Sequence, residues 1–148
     1  MIKIDIEIVY EHVERELNNA YLLKFELEKR GYEVKISPAF EPKLPSLKAP
    51  KLLITPWLHD DKGVNGLKFK YLSRVNKILN LQYEHVISQV WLESGAHCPS
   101  GLAKNGIHIC WGDKIRRRLL KNGIQEKNLK IINDMKFDFE SWPKFNFF

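Results

Sequence analysis

The hydrophobic pattern of the first 37 residues predicts a strand, a helix and a second strand. Ile2 to Val9 alternates isoleucine with charged residues, which is the period-two pattern of a strand at a sheet edge or with one partly wetted face. Val13 to Arg30 has helical spacing, with an apolar stripe formed by Val13, Leu17, Ala20, Leu23 and Leu27. Gly31 follows where a helix would end, and Tyr32 to Ser37 is the second predicted strand.

Later apolar runs continue the alternation of strands and helices. The predicted strands are Lys51–Thr55, stopped by Pro56, then Ile107–Trp111 and Leu129–Ile132. The predicted helices are Leu67–Asn80 and a segment N-capped by Asp113 that runs to Asn122, whereas Leu79–Tyr83 is either a short strand or the end of the former helix. Phe40–Pro50, with three prolines, is a predicted loop. The order predicts an α/β class, a three-layer Rossmann-like domain with a mainly parallel sheet.

Composition places the chain among globular proteins of about one domain. The 148 residues are 44% hydrophobic and 28% charged. No apolar run approaches the roughly 20 residues of a membrane span, and the acidic N-terminus does not resemble a signal peptide, so a cytoplasmic location is predicted. The formal charge of +6 is uneven, because residues 101–148 hold ten basic and five acidic residues.

Glu84 and His85 form a candidate acid/base pair. They follow an apolar run, and ligands bind at the carboxyl ends of strands in open α/β sheets. Burial would raise the pKa of Glu84 toward the range of a general base that deprotonates an acceptor hydroxyl, and His85 would share that role or orient a phosphate. The alternative is a capping carboxylate and a surface histidine.

The turn after the first strand has no glycine, so it lacks the cradle that binds dinucleotides. Its three glutamates would also repel phosphate. Glu11, Arg15 and Glu16 are candidates for hydrogen bonding to sugar hydroxyls. The alternative, which the residues favour, is that the acidic side chains stabilise the positive end of the helix dipole.

Two further groups of residues have weaker functional interpretations. His97, Cys98, His108 and Cys110 lack the ligand spacing of zinc sites, so no metal is predicted and the two cysteines are expected to be free thiols. Lys114, Arg116, Arg117, Arg118 and Lys121 make a basic helix, which is either a solvated face or a contact for an anionic membrane or polyanion. No aromatic-interleaved motif accompanies it, so nucleic acid is not a predicted partner.

Four short segments together resemble one protein family. They are Arg15-Glu16 with Leu22-Leu23 and Arg30–Val34, then Asn80–Glu84, then His108–Gly112 followed by Gly123-Ile124, and Asn133–Asp138. In this order they resemble the N-terminal half of GT-B glycosyltransferase-like proteins. More narrowly, they are similar to the bacterial surface-carbohydrate family that makes capsule and O-antigen.

The resemblance implies an acceptor-side domain in residues 1–141, with residues 142–148 beginning a linker or C-terminal tail. Glu84 would be the base, with Arg15, Glu16 and His85 lining a cleft and Trp111 packing near it. The nucleotide-sugar donor would bind mainly to a second domain, so no cofactor is expected on this chain alone and catalysis would be incomplete.

The expected partners are a carbohydrate acceptor and either a second GT-B domain or another copy of the chain. The aromatic tail from Phe137 to Phe148 would be costly to leave exposed, so it is expected to pack on this domain, on a second copy or on a missing domain. The alternatives are a non-catalytic adaptor that binds an anionic surface or polyanion through helix 114–121, with peripheral membrane contact, and a small flavodoxin-like nucleotide binder.

Overall fold

The computed structural model describes residues 5–39, 50–58, 77–81 and 98–132. Six strands lie in these ranges: β1 (Asp5–Tyr10), β2 (Glu33–Pro38), β3 (Leu52–Thr55), β4 (Lys77–Asn80), β5 (Ile107–Cys110) and β6 (Leu129–Ile131). The helices are a π-helical turn (Val13–Leu17), α1 (Asn18–Lys29), a 3-10 helix (Gly101–Asn105), α2 (Asp113–Lys121) and a 3-10 turn (Glu126–Asn128). The predicted helix before residue 77, most of the 40–50 loop and the 142–148 tail lie outside the described ranges.

The described strands form one parallel sheet in the order β2-β1-β3-β4-β5-β6. The predicted α/β class and mainly parallel sheet are therefore confirmed. β1 pairs with β2 on one side and β3 on the other, so the expectation of an edge strand is wrong and that of a partly wetted face is right. Glu7, which is half-buried on that face, accepts a hydrogen bond from the Ser37 hydroxyl.

Helices cover both faces of the sheet, which gives the three layers of a Rossmann-like fold. On the α1 face, Leu23 and Leu27 pack in the same cluster as Ile8 and Ile109. On the α2 face, Leu119 packs in a cluster that contains Cys110, the neighbour of Ile109 in β5. Consecutive strand residues point to opposite faces, so α1 and α2 lie on opposite sides of the sheet.

Both α-helices end in a Schellman motif. After α1, the N–H groups of Gly31 and Tyr32 donate to Glu28 and Leu27 respectively, and Gly31 has a φ of 87°. After α2, Gly123 and Ile124 donate in the same way to Leu120 and Leu119. The left-handed conformation at each glycine carries almost no steric cost because glycine has no Cβ. The helix ends predicted at both glycines are confirmed.

Three local predictions differ from the structure. Residues 77–80 form a buried central strand and not the end of a helix, because they pair with both β3 and β5. Val13 is 58% exposed, since the helical stripe begins only after the π-helical turn, whose wider spacing shifts its phase. The N-cap of α2 is Gly112, and Asp113 lies in the first turn, where its carboxylate pairs with Arg116 and Arg117.

Candidate functional site

The strand order changes direction between β1 and β3, and this switch point is where the candidate site lies. The chain passes from β1 to β2 on one side, and then returns to place β3 on the other side of β1. In open parallel sheets the crevice outside the carboxyl ends at such a point is the usual ligand position. Ile8 and Ile54 are paired in register, so the residues that leave β1 and β3 meet at this edge.

Glu11 and Trp57, which follow β1 and β3, contact each other directly at the switch point. The indole Nε1–H of Trp57 donates a hydrogen bond to the Glu11 carboxylate. The buried Thr55 hydroxyl donates to the carbonyl oxygen of Trp57 at 2.9 Å, which fixes the backbone that carries the indole. Hydrogen bonds to an ionised acceptor are among the stronger ones. A carboxylate and an aromatic ring are thus held side by side at the ligand edge.

Glu16 holds the turn that presents Glu11. It is 4% exposed, and its Oε2 accepts hydrogen bonds from the backbone N–H groups of Glu11 at 2.6 Å and His12 at 3.3 Å. Its other carboxylate oxygen lies 3.8 Å from the Arg15 guanidinium. A buried carboxylate needs such partners. Direct contact of Arg15 and Glu16 with sugar hydroxyls stays a prediction, although both lie beside Glu11.

Trp111 joins the carboxyl ends of β4 and β5. Its indole N–H donates to the carbonyl oxygen of Leu81 at 2.6 Å, and the N–H of Leu81 donates to the carbonyl oxygen of Thr55 at 2.9 Å. The ring packs against the core cluster on the α1 face. Both backbone groups of Leu81 are therefore held, one by β3 and one by Trp111. The contribution of Trp111 to substrate binding stays a prediction.

A buried polar row crosses the sheet behind this edge. Thr55, Asn80 and His108 are register partners on three neighbouring strands, and all three are buried. The amide nitrogen of Asn80 lies 3.1 Å from Nδ1 of His108. Because an amide NH2 only donates, Nδ1 is the acceptor and the ring proton lies on Nε2. This row was not predicted from the sequence, although Asn80 at the end of the run KILN and His108 within the run IHIC are visible polar residues.

Burial makes His108 a neutral residue. Loss of hydration lowers the pKa of His108 from 6.5 to about 4, although the backbone of Ala103 and Lys104 partly favours the charged ring. Its Nε2 has no partner in hydrogen-bonding geometry among the residues that the structure describes. His108 is therefore a structural residue of the sheet in the neutral form.

The cysteines are buried free thiols, as expected. Burial raises the pKa of Cys110 to about 11 and also raises the pKa of Cys98. A high pKa leaves little thiolate, the form that acts as a nucleophile or metal ligand. No group of His, Cys, Asp or Glu side chains within residues 5–39, 50–58, 77–81 and 98–132 is arranged to hold a metal ion. His97, which was considered as a zinc ligand together with Cys98, His108 and Cys110, lies outside those ranges.

The basic helix α2 is partly neutralised by its own neighbours. Arg116 lies 2.7 Å from Glu126 and 3.5 Å from Asp113, and Nε of Arg117 donates to Asp113 at 2.7 Å. The hydrogen bond from Arg117 is the largest cause that lowers the pKa of Asp113. Lys114 is exposed. These residues lie on the α2 side of the sheet near β5 and β6, two or more strands from the Glu11–Trp57 pair.

The structure brings together only part of the predicted site. Glu11, Arg15 and Glu16 gather at the end of β1, and Trp111 lies farther along the same carboxyl edge after β5. Trp57 joins Glu11 and was not predicted as a site residue; the pairing links residues 46 positions apart. The proposed catalytic pair, Glu84 and His85, lies outside the described residues.

The chain matches no protein-family model, no curated protein and no solved structure. Neither helix α1 nor α2, nor any other helix in the described part of the chain, has the length and apolar character needed to cross a membrane. The geometry of the chain's own residues therefore carries the functional conclusion.

Proposed function

We propose that the chain is the acceptor-side domain of a GT-B-like glycosyltransferase in bacterial surface polysaccharide biosynthesis. The observation that carries the proposal is the Glu11–Trp57 pair at the β1/β3 switch point. A sugar presents hydroxyl groups at its rim and C–H groups on its faces. A carboxylate accepts hydrogen bonds from the hydroxyls, and an indole ring offers an apolar, polarisable surface to the faces.

Catalysis would be direct sugar transfer with the acceptor held at this edge. Glu84 remains the candidate base, which would take the proton from the acceptor hydroxyl as it attacks the anomeric carbon of the donor. His85 would assist it. The nucleotide-sugar donor would bind to a second domain, so this chain alone would bind acceptor without completing the transfer.

A nucleotide-binding function is the main competitor, because the first five strands have the flavodoxin-like order 2-1-3-4-5. Fold analogy alone does not assign a ligand. In such folds a phosphate is held by backbone N–H groups after the first strand. Here the N–H groups of Glu11 and His12 already donate to the Glu16 carboxylate, and Glu14 adds a further negative charge. These residues do not fit a phosphate group.

The Glu11–Trp57 pair can be tested by NMR on the whole chain. The indole N–H of Trp57 and the backbone N–H of Gly31 would be recorded while a panel of free hexoses, deoxyhexoses and N-acetylhexosamines is added. The Trp57 resonance is expected to shift with at least one sugar, and Glu11→Gln is expected to weaken that response. The backbone N–H of Gly31 provides the internal control, because it donates to Glu28 at the C-terminal end of α1, away from the carboxyl edge.

Three results would contradict the proposal. One is a Trp57 resonance that no sugar in the panel moves, and another is an equal shift of the Gly31 N–H. The third is tight calorimetric binding of FMN or a free nucleotide, which would favour the flavodoxin-like alternative. The base is tested separately: Glu84→Gln, made in the protein joined to its donor domain, is expected to abolish transfer while the fold is retained.

A further inference from the structure

We propose that the outward face of α2 binds an anionic polysaccharide chain. The proposal rests on the function proposed above, and it adds that the acceptor chain carries acidic groups which lie along α2. We call the exposed cations Lys114, Arg117 and Lys121 the α2 stripe. These three residues are spaced at i, i+3 and i+7, so they line one side of the helix.

The α2 stripe is open to a partner. The exposed residues of α2 are Asp113 and the three stripe cations, and all four are charged. The side chains of Lys114 and Lys121 have no hydrogen bond or ion pair with any residue in the described ranges. Arg117 is paired with Asp113, and both side chains are more than half exposed. An anionic ligand would therefore meet two unpaired ammonium groups and one shared guanidinium.

The described residues separate their charges across the sheet, and the stripe belongs to the positive group. Residues 5–39, which form β1, β2 and α1, hold eight acidic and five basic residues. Residues 98–132, which form β5, β6 and α2, hold two acidic and eight basic residues. Because β2 and β6 are the outermost strands of the described sheet, these two groups of residues lie on opposite sides of its centre. The excess of cations around α2 favours an anionic partner there.

The chemistry of the stripe favours a hydrophilic polyanion over a bilayer or a nucleic acid. A helix that lies in a membrane surface buries an apolar face next to its cations, but no exposed residue of α2 is apolar. Four of the six large apolar residues that are exposed in the described ranges lie on α1 or the turn before it, on the other side of the sheet, and the remaining two, Leu102 and Ile131, lie outside α2. Single-stranded nucleic acid is bound by stacking on aromatic rings, which the exposed face of α2 lacks.

The direction of α2 connects the stripe to the acceptor edge. β5 and β6 are parallel, so α2 starts at the carboxyl edge after Gly112 and runs back toward the amino edge. Lys114 is thus near the edge where acceptor would react, and Lys121 is about 10 Å farther along the helix axis. A polysaccharide whose end lies at the carboxyl edge would extend along the outer face of α2.

The test compares two variants that remove the same number of charges. Lys114, Arg117 and Lys121 are all changed to Gln in one, and Lys29, Arg30 and Lys35, which are exposed in the acidic group, are changed to Gln in the other. Binding of a fluorescent oligogalacturonate is measured by anisotropy at low and at moderate ionic strength. Neutral malto-oligosaccharide, phosphatidylglycerol vesicles and a single-stranded oligonucleotide are measured beside it.

The unmodified chain is expected to bind oligogalacturonate more tightly than the other three probes, and more weakly as salt is added. The α2 variant is expected to lose about tenfold in affinity or more, since it removes three cations and only one of them is shared with Asp113. The control variant is expected to keep the affinity of the unmodified chain. Circular dichroism of both variants would establish that they are folded.

Equal losses in the two variants would overturn the proposal, because net charge and not the stripe would then set the affinity. No binding of oligogalacturonate, or tighter binding of vesicles or oligonucleotide, would overturn it as well. The proposed function is tested separately, by the response of the Trp57 indole N–H to added sugars. A sugar response at Trp57 without stripe binding would reject only the anionic chain, whereas stripe binding without any Trp57 response would reject only the acceptor site.

Discussion

Acidification is expected to destabilise the fold through His108. The ring is fully buried and neutral, with Nδ1 accepting from Asn80 at 3.1 Å. In the unfolded chain an exposed histidine takes up a proton near pH 6.5, whereas burial lowers the pKa of His108 in the folded chain to about 4. Between pH 6.5 and pH 4, the unfolded chain therefore binds a proton at His108 that the folded chain does not bind.

The loss of stability follows from the difference between the two pKa values. Each pKa unit corresponds to about 1.4 kcal/mol of unfolding free energy. His108 therefore contributes roughly 3 kcal/mol of stability above pH 6.5, and this is lost progressively as the pH falls to 4. Below that value the folded ring is also protonated and the loss stops. Between pH 6.5 and pH 5 alone, where most carboxylates are still ionised, the expected loss is about 2 kcal/mol.

The assay is urea unfolding followed by circular dichroism at several pH values, for the unmodified chain and for His108→Gln. Glutamine does not titrate, and its side-chain oxygen can accept from Asn80. Its stability at neutral pH will be lower because the packing changes, but its pH dependence should be flatter by about 2 kcal/mol between pH 6.5 and 5. Other titrating groups are common to both proteins and cancel in the difference.

His12 offers a matched control, because its side chain is 51% exposed. The variant His12→Gln should keep the steep pH dependence of the unmodified chain. Parallel stability curves for the unmodified chain and His108→Gln would refute the reasoning, since they would mean that the buried ring is protonated as readily in the folded chain as in the unfolded one.

Three further substitutions test local features of the fold by urea unfolding at neutral pH. Gly31→Ala should cost about 1–2 kcal/mol, because φ is 87° there and no neighbouring atom would contact the new methyl group; an unchanged midpoint would contradict the left-handed turn. Glu16→Gln should cost about 1–2 kcal/mol through its weaker bonds to the turn amides, whereas the exposed control Glu14→Gln should have almost no effect. Trp111→Phe should cost about 1 kcal/mol and speed hydrogen exchange nearby, because the carbonyl oxygen of Leu81 loses its donor; unaltered exchange would argue against that bond.

The elements that sequence predicted correctly are those with local signals. Gly31 and Gly123 end helices because a left-handed residue is needed where the last carbonyl groups are capped, and that need is visible from the chain alone. The strands β3 and β5 could likewise be predicted from their apolar runs, because both are buried on two faces and are followed by Pro56 and Trp111-Gly112 respectively. Alternation of such elements was enough to predict a parallel α/β sheet.

β4 is an element whose type could not be predicted from local sequence signals. Four residues, Lys77 to Asn80, are too few to separate a buried strand from the last turn of a helix, and the periodicity of the preceding segment favoured a helix. Pairing with β3 and β5 makes these residues a strand and not a helical turn. Hydrogen bonds to two neighbouring strands satisfy a buried backbone that no local interaction would satisfy as well.

The candidate site divides in the same way. Sequence selected Glu11, Arg15 and Glu16 because polar residues after the first strand lie at the ligand edge of an α/β sheet. Only the tertiary structure decided that Glu16 turns inward to bind the turn amides, that Glu11 meets Trp57, and that a buried polar row ends at His108. These contacts depend on strand order and register, which are set by the packing of the whole sheet and are not encoded in the spacing of any short segment.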